Sequence, residues 1–198
     1  MLIRSYEYNK PSKMNKTAPS EFYRLFLIEK LPEPLTPASS HLQLFDNYID
    51  GTRLRLRKIR DPYTKTWTWA LQQHIRVDGD HGISKLSEIH LDEAEYEIFS
   101  RFEGREIRKN RYFHEVDQVS FTFDAYLGAL FGLCTARVDF DSDARMEAFM
   151  PPPFAIFEVS GDEFFNGEQL VTKLFSDIRE HVARIGSIAP PPGETAAE

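Results

Sequence analysis

Cysteine is almost absent from this chain, which has one, Cys134, among its 198 residues. A single thiol excludes an internal disulfide and a zinc site built from several cysteines, so packing must hold the fold together. Such scarcity is typical of proteins in a reducing compartment, and we expect a cytoplasmic protein. Cys134 stands in an apolar stretch, residues 131–136, where a thiol in the core is expected rather than a nucleophile.

Long apolar runs and a surplus of positive charge are also missing. No run approaches the roughly 20 apolar residues that a membrane-spanning helix needs, so we expect no membrane insertion. The chain has 24 Lys and Arg against 31 Asp and Glu, a formal net charge of -7 at pH 7. Because proteins that coat nucleic acid neutralise many phosphates with Lys and Arg, this balance argues against general nucleic-acid coating. The glycine-rich phosphate loop and the dinucleotide fingerprint are absent too.

The two ends of the sequence have no periodic pattern. Residues 1–19 mix Lys, Asn, Ser and Pro, and residues 189–198 are rich in Pro and Ala, so we expect a mobile N-terminal segment and a disordered tail. Between them there is neither an internal repeat nor a linker long enough to separate two domains. Residues 20–188 are therefore predicted to form one domain.

Strand patterns dominate this domain. Short segments with many aromatic and aliphatic residues, or with strict alternation, are bounded by turn residues or charge. We predict about eight strands, the number that closes a small barrel. They are expected at 21–28, 52–57, 67–75, 83–89, 106–114, 118–126, 132–141 and 154–159.

Two segments have the helical spacing of apolar residues instead. The first stripe is Leu91, Ala94, Ile98 and Phe102. Gly104 follows it where a helix would end. The longer, C-terminal stripe is Leu170, Leu174, Ile178, Val182 and Ile185. Asn166 and Gln169 have the spacing of a capping box at its start, and Gly186 predicts its end.

Charged residues recur with strand spacing. One triplet and two pairs stand at this spacing: Arg53, Arg55 and Arg57; Lys109 and Arg111; and Asp139 and Asp141. Residues two apart on a strand share one face. In an ordinary antiparallel sheet this face would be solvated and the apolar face would pack on helices. In a barrel it could point into the lumen, where clustered cations need an anion and the planar fork of Arg suits phosphate oxygens.

The order of these motifs resembles the CYTH superfamily, the triphosphate tunnel metalloenzymes. Members are eight-stranded antiparallel barrels that bind triphosphate groups in the lumen with Mg²⁺ or Mn²⁺. They include inorganic, thiamine and RNA triphosphatases and class IV adenylyl cyclases. The resemblance runs from about Glu21 to Leu174. The matching segments are 21–27, 53–55, 109–112, 123–126, 132–140 and 158–166.

This resemblance implies an α+β fold, an eight-stranded antiparallel barrel with flanking helices and a long C-terminal helix. The residues that it implies for triphosphate binding are Arg53, Arg55, Lys109 and Arg111. Those that it implies for Mg²⁺ or Mn²⁺ are Glu21, Asp124 and Asp139. It assigns no catalytic residue. The expected partner is a small polyphosphate or a triphosphorylated ligand.

Departures from the family pattern concentrate at and beside the positions where the family binds its metal ion. Tyr23 stands where the family has a second Glu, Leu25 where it has Lys, and Arg137 where it has an acid. Two metal-ligand positions are lost, because neither a neutral phenol nor a guanidinium can replace a carboxylate on Mg²⁺.

Three functions remain open from the sequence. The first is a metal-dependent triphosphatase, in which charge stabilisation and positioning support attack of water on phosphorus. The second is a catalytically silent module that binds a phosphorylated small molecule or nucleotide. The third is a scaffold whose lumen is filled by Tyr23, Leu25 and ion pairs such as Arg137 with Glu21.

Overall fold

A computed structural model describes residues 20–76 and 83–188. The predicted terminal appendages, 1–19 and 189–198, lie outside the described residues. The strands within them are β1 Ser20–Ile28, β2 Leu42–Ile49, β3 Leu54–Arg60, β4 Trp67–Arg76, β5 Ile83–Leu91, β6 Gly104–Val116, β7 Val119–Tyr126, β8 Cys134–Phe140 and β9 Ala155–Glu158. The α-helices are α1 Glu93–Phe99, α2 Asp143–Glu147, α3 Gly167–Leu170 and α4 Phe175–Ile188.

The strands form one antiparallel sheet in the order β5-β4-β3-β2-β6-β7-β8-β1-β9. β5, the first strand in this order, also pairs with β1 near its other end, through residues 83–85 of β5 and residues 20–22 of β1. The predicted β-rich, antiparallel α+β fold with flanking helices is confirmed. No helix among residues 20–76 and 83–188 has both the length and the apolar character needed to cross a bilayer.

The second strand, β2, is absent from our sequence-based prediction. Its middle holds Asp46 and Asn47, which interrupt the apolar run and weaken the strand pattern. Asp46 nevertheless lies on a buried face, with a side chain only 1% exposed, because arginine from β3 neutralises it. The turn after β2 carries a better signal: Asp50 precedes Gly51, which adopts a φ of +69° in the turn to β3.

Aromatic and aliphatic side chains build two core clusters on opposite faces of the sheet. One includes Phe26 and Phe123, both fully buried, and is covered by Phe149 and Phe154 from the connection between α2 and β9. Burying each of these two rings contributes about 2 kcal/mol. The other joins inward-facing Ile107 and further strand residues to the C-terminal helices. The second cluster therefore packs the C-terminal helices against the face of the sheet that carries Ile107.

The predicted long C-terminal helix is present as α4, but its predicted start at Asn166 is wrong, since a separate short helix, α3, occupies the first part of this region. Asn166 makes no side-chain cap hydrogen bond, so the predicted capping box is not formed. A new helix begins after Leu174, whose backbone N–H donates to the Asp177 carboxylate at 2.8 Å. This break places the ring of Phe175 against Gly132, where a Cβ atom would lie 2.8 Å from it. Tertiary packing thus divides a stripe that looks continuous in sequence.

The first predicted helix is present as α1. Asp92 accepts from the backbone N–H of Glu95 at 2.8 Å, and the Glu95 carboxylate accepts from that of Asp92 at 2.9 Å. These two bonds form a complete capping box. The helix is shorter than its stripe, because Leu91 belongs to β5 and Phe102 lies beyond the last turn.

Candidate functional site

A cavity of about 690 Å³ lies against one face of the sheet. Each strand from β1 to β8 contributes side chains to it, and on every one of these strands except β4 they are two residues apart. This follows from the antiparallel register: Arg55 lies opposite Tyr48, and Arg111 lies opposite Asp124, so directly paired residues share the cavity face. Residues 163–168, between β9 and α4, complete the wall.

All seven residues that the sequence assigns to triphosphate or metal line this one cavity. The four cations are Arg53, which is exposed in the turn before β3, Arg55 on β3, and Lys109 and Arg111 on β6. The three acids are Glu21 on β1, Asp124 on β7 and Asp139 on β8. Their roles stay predictions, but the strand order explains why all seven line the same cavity.

Asp124 is held by two of the predicted cations. The Arg111 guanidinium donates to both of its carboxylate oxygens, each at 2.7 Å, and the Lys109 ammonium lies 2.6 Å from Oδ2. Burial would raise the pKa of Asp124, but the charges of Arg111 and Lys109 outweigh it and hold this pKa below its usual range. For Lys109 burial prevails: it lowers the pKa of the ammonium to about 8, although the charge of Asp124 opposes the shift.

Asp46 forms a second buried cluster that the sequence analysis missed. The Arg57 guanidinium donates to Oδ1 at 2.6 Å and to Oδ2 at 2.7 Å, and Arg55 Nη1 lies 3.8 Å from Oδ2. Burial would raise the pKa of Asp46, but Arg57 and Arg55 lower it below its usual range. Arg57 could be predicted to face the same way as Arg55, because the two are two residues apart in a strictly alternating segment. Asp46 was missed because its strand was missed.

Arg55 is oriented by neutral groups as well. Its Nε donates to Gln72 Oε1 at 2.9 Å, and its Nη1 donates to the Tyr48 hydroxyl at 3.3 Å. Gln72 is buried and in turn donates to Glu88. Gln72 therefore positions the neighbouring Arg55.

We call Arg55, Arg57, Lys109 and Arg111 the cation belt. These four cations share two buried carboxylates, Asp46 and Asp124, so the belt has two positive charges in excess. The whole cavity lining is not basic, since it has six cationic and seven acidic side chains. A small anion would therefore be attracted to the belt, not to the lining in general.

The predicted metal ligands do not converge as a donor set. Asp124 faces Lys109 and Arg111, whereas Glu21 and Asp139 face the guanidinium of Arg137. Among residues 20–76 and 83–188, no three His, Cys, Asp or Glu side chains come together in a group that could hold a metal ion. In this arrangement the residues do not fit Mg²⁺ or Mn²⁺.

Comparisons with known proteins agree with the motifs. No family model matches the chain. An inorganic triphosphatase from Nitrosomonas europaea is 28% identical over 162 residues, which are 78% of this chain and 99% of that protein. Crystal structures titled hypothetical protein NE1496 and inorganic triphosphatase NE1496 each match with a TM-score of 0.53, at 23% and 22% identity. Each covers 78% of this chain, and the match spans 99% and 95% of those chains respectively. The resemblance to the CYTH superfamily that the strand motifs indicate is thereby confirmed.

Proposed function

We propose that this chain binds inorganic triphosphate or a triphosphorylated small molecule in its cavity, through the cation belt together with Arg53. The observation that carries this proposal is the excess of two positive charges on the buried wall. Guanidinium forks match phosphate oxygens in pairs, and Lys109 adds a compact point charge. Asp46 and Asp124 hold these cations in place before the ligand arrives, which reduces the entropy lost on binding.

The pairing of β1 with β5 supports a closed barrel as the setting of this site. With this contact, each of the strands β1 to β8 has a neighbour on both sides. In such a barrel the face that carries the belt would line the lumen. A lumen screens the belt from bulk water, so each contact with phosphate is stronger than on an open surface. The cavity volume also counts against a scaffold with a packed lumen, although the Arg137–Glu21 ion pair of that hypothesis is present at 3.6 Å.

Isothermal titration calorimetry with inorganic triphosphate tests this function. Arg55→Ala and Arg111→Ala should each weaken binding about tenfold or more, because each removes a charge-assisted contact. Arg108→Ala is the matched control, since Arg108 lies on the same strand as Arg111 but on the opposite face and is half-exposed. Absence of binding at millimolar triphosphate, or equal weakening by all three substitutions, would refute the proposal.

Hydrolysis of the bound triphosphate is the second candidate, favoured because the Nitrosomonas relative is an inorganic triphosphatase. The belt would stabilise charge on the phosphoryl oxygens, which is the main contribution of protein groups in such reactions. Phosphate release should be measured with Mg²⁺, with Mn²⁺ and with a chelator. Release no faster than in a protein-free blank under all three conditions would exclude hydrolysis and leave binding intact.

A further inference from the structure

Arg137 occupies the part of the cavity where β1 meets β8. In the register of these strands Tyr23 lies opposite Asp139, and Leu25 lies opposite Arg137. Glu21 is two residues before Tyr23 and therefore lies on the same face of β1. Tyr23, Leu25 and Arg137 are the three of these positions at which the sequence departs from the CYTH pattern. The departures are therefore neighbours in space.

The Arg137 guanidinium is held by two of the three acids expected to bind a divalent ion, Glu21 and Asp139. Its Nη2 lies 2.5 Å from Asp139 Oδ1 and 3.6 Å from Glu21 Oε2, and its Nε donates to Asp139 Oδ1 at 2.7 Å. Its carbon Cζ lies 4.1 Å from the centroid of the Tyr23 ring, a cation–π contact. A carboxylate at position 23 would add a metal ligand, whereas the aromatic ring at this position supports an organic cation.

We propose that Arg137 takes the place of the divalent cation, so that the cavity binds polyphosphate without a metal. This inference rests on the proposed function. A guanidinium between two carboxylates fills the space that a divalent ion would take and neutralises part of their negative charge, so a metal gains less there. The guanidinium has five N–H donors, more than its contacts with Asp139 and Glu21 require, and their planar arrangement suits phosphate oxygens. Thr122, directly opposite Arg137 on β7, also lines the cavity and offers a hydroxyl beside it.

The test is calorimetric titration of inorganic triphosphate into the full chain, first in EDTA and then in excess Mg²⁺. The affinity of the wild-type protein in EDTA should lie within about threefold of that in Mg²⁺, because one arginine already supplies the charge. Arg137→Gln should lose about tenfold in EDTA and recover little with metal. Arg137→Lys should retain most of the affinity.

Arg137→Glu restores an acid beside Glu21 and Asp139, so it should bind triphosphate well only when Mg²⁺ or Mn²⁺ is present. Electron paramagnetic resonance should detect Mn²⁺ bound to this variant but not to the wild-type protein, even without triphosphate. Arg145→Glu is the matched control: it makes the same charge change at a side chain that is 73% exposed and absent from the cavity lining. Circular dichroism of each variant checks that it folds.

Wild-type binding that requires Mg²⁺ would overturn the inference and leave the proposed function standing. Wild-type affinity retained in Arg137→Gln in EDTA would also overturn it. Absence of binding both in EDTA and in Mg²⁺ would instead refute the proposed function, and this inference with it. The two failures are therefore distinguishable in one series of titrations.

Discussion

Asp46 and Asp124 each hold two cations in a buried wall. A buried ion pair contributes little net stability, because desolvation of both charges offsets their attraction. Removal of one partner is costly, however, since the other charge stays buried without compensation. These carboxylates therefore matter most as supports that keep guanidinium and ammonium groups at fixed positions around a cavity.

Asp46 should make stability depend on acid pH. Because its pKa in the folded protein lies below the ordinary 3.8, it adds stability that is fully present above about pH 5 and is lost as the pH falls below about 4. Asp46→Asn should cost about 3 kcal/mol at pH 7 and flatten the decline of stability between about pH 5 and 3. Urea unfolding across this range measures both effects.

Asp50→Asn is the control for that series, because Asp50 is exposed and directly follows β2. It should leave both the stability at pH 7 and the decline in acid nearly unchanged. An equal decline in wild-type protein and Asp46→Asn would mean that other carboxylates govern the acid response.

Residue alternation predicted the cations of the site but not their partners. Spacing alone places Arg55 and Arg57 on one face of their strand, and Lys109 and Arg111 on one face of theirs, because side chains alternate along any strand. Their acids could not be paired with them, since pairing depends on which strands are neighbours and in what register. Asp124 was expected at a metal and lies against Arg111 and Lys109 instead.

At the scale of elements, α3 is tied to the cavity through a close contact with Tyr48. A Cβ atom on Gly167 would lie 1.7 Å from the Tyr48 hydroxyl. Gly167→Ala should therefore displace Tyr48, whose hydroxyl accepts from Arg55, and weaken triphosphate binding about threefold to tenfold. Titration calorimetry and the melting temperature should both report the change.

Gly186→Ala is the comparison for Gly167→Ala, because its new Cβ would meet the Phe157 ring at 3.3 Å, well away from the belt. Alanine also favours the helical backbone of α4. Equal binding by Gly167→Ala and the wild-type protein would show that the position of Tyr48 does not influence Arg55.

The capping box of α1 should contribute locally. Asp92→Ala removes the side chain that accepts from Glu95 and should lower the free energy of unfolding by about 1 kcal/mol. Triphosphate binding should be unchanged, because α1 has no buried residues and none of its side chains lines the cavity. Glu97→Ala, later in the same helix, is the control in thermal unfolding. A loss of affinity in Asp92→Ala would mean that α1 influences the site.

Elements with local signals were predictable, whereas those shaped by distant contacts were not. The start of α1 depends on Asp92 and Glu95, which lie within one helical turn of each other. The break between α3 and α4 depends on Phe175 meeting Gly132 from another part of the chain. The strand β2 was missed because its buried Asp46 is stabilised only by an arginine on the next strand.

At the scale of the whole molecule, an acidic chain encloses a small cationic wall. The net charge of -7 should repel long polyanions, while the cavity admits a short one. Fluorescence anisotropy should detect no binding of a labelled 20-base-pair DNA duplex at about 150 mM salt, where nonspecific contacts are weak. Inorganic triphosphate should bind under the same conditions. Micromolar binding of the duplex, with displacement by triphosphate, would mean that the cations are accessible from outside.

The position of β1 also bears on how the chain folds. This strand finds its partners in β5, β8 and β9, so Phe22 must meet both Ile83 and Phe140. Pairings between such distant residues give a high contact order, and chains of this kind fold over roughly milliseconds to seconds. The cavity is assembled only when these late pairings form, so the ability to bind an anion should be among the last native properties to return during refolding.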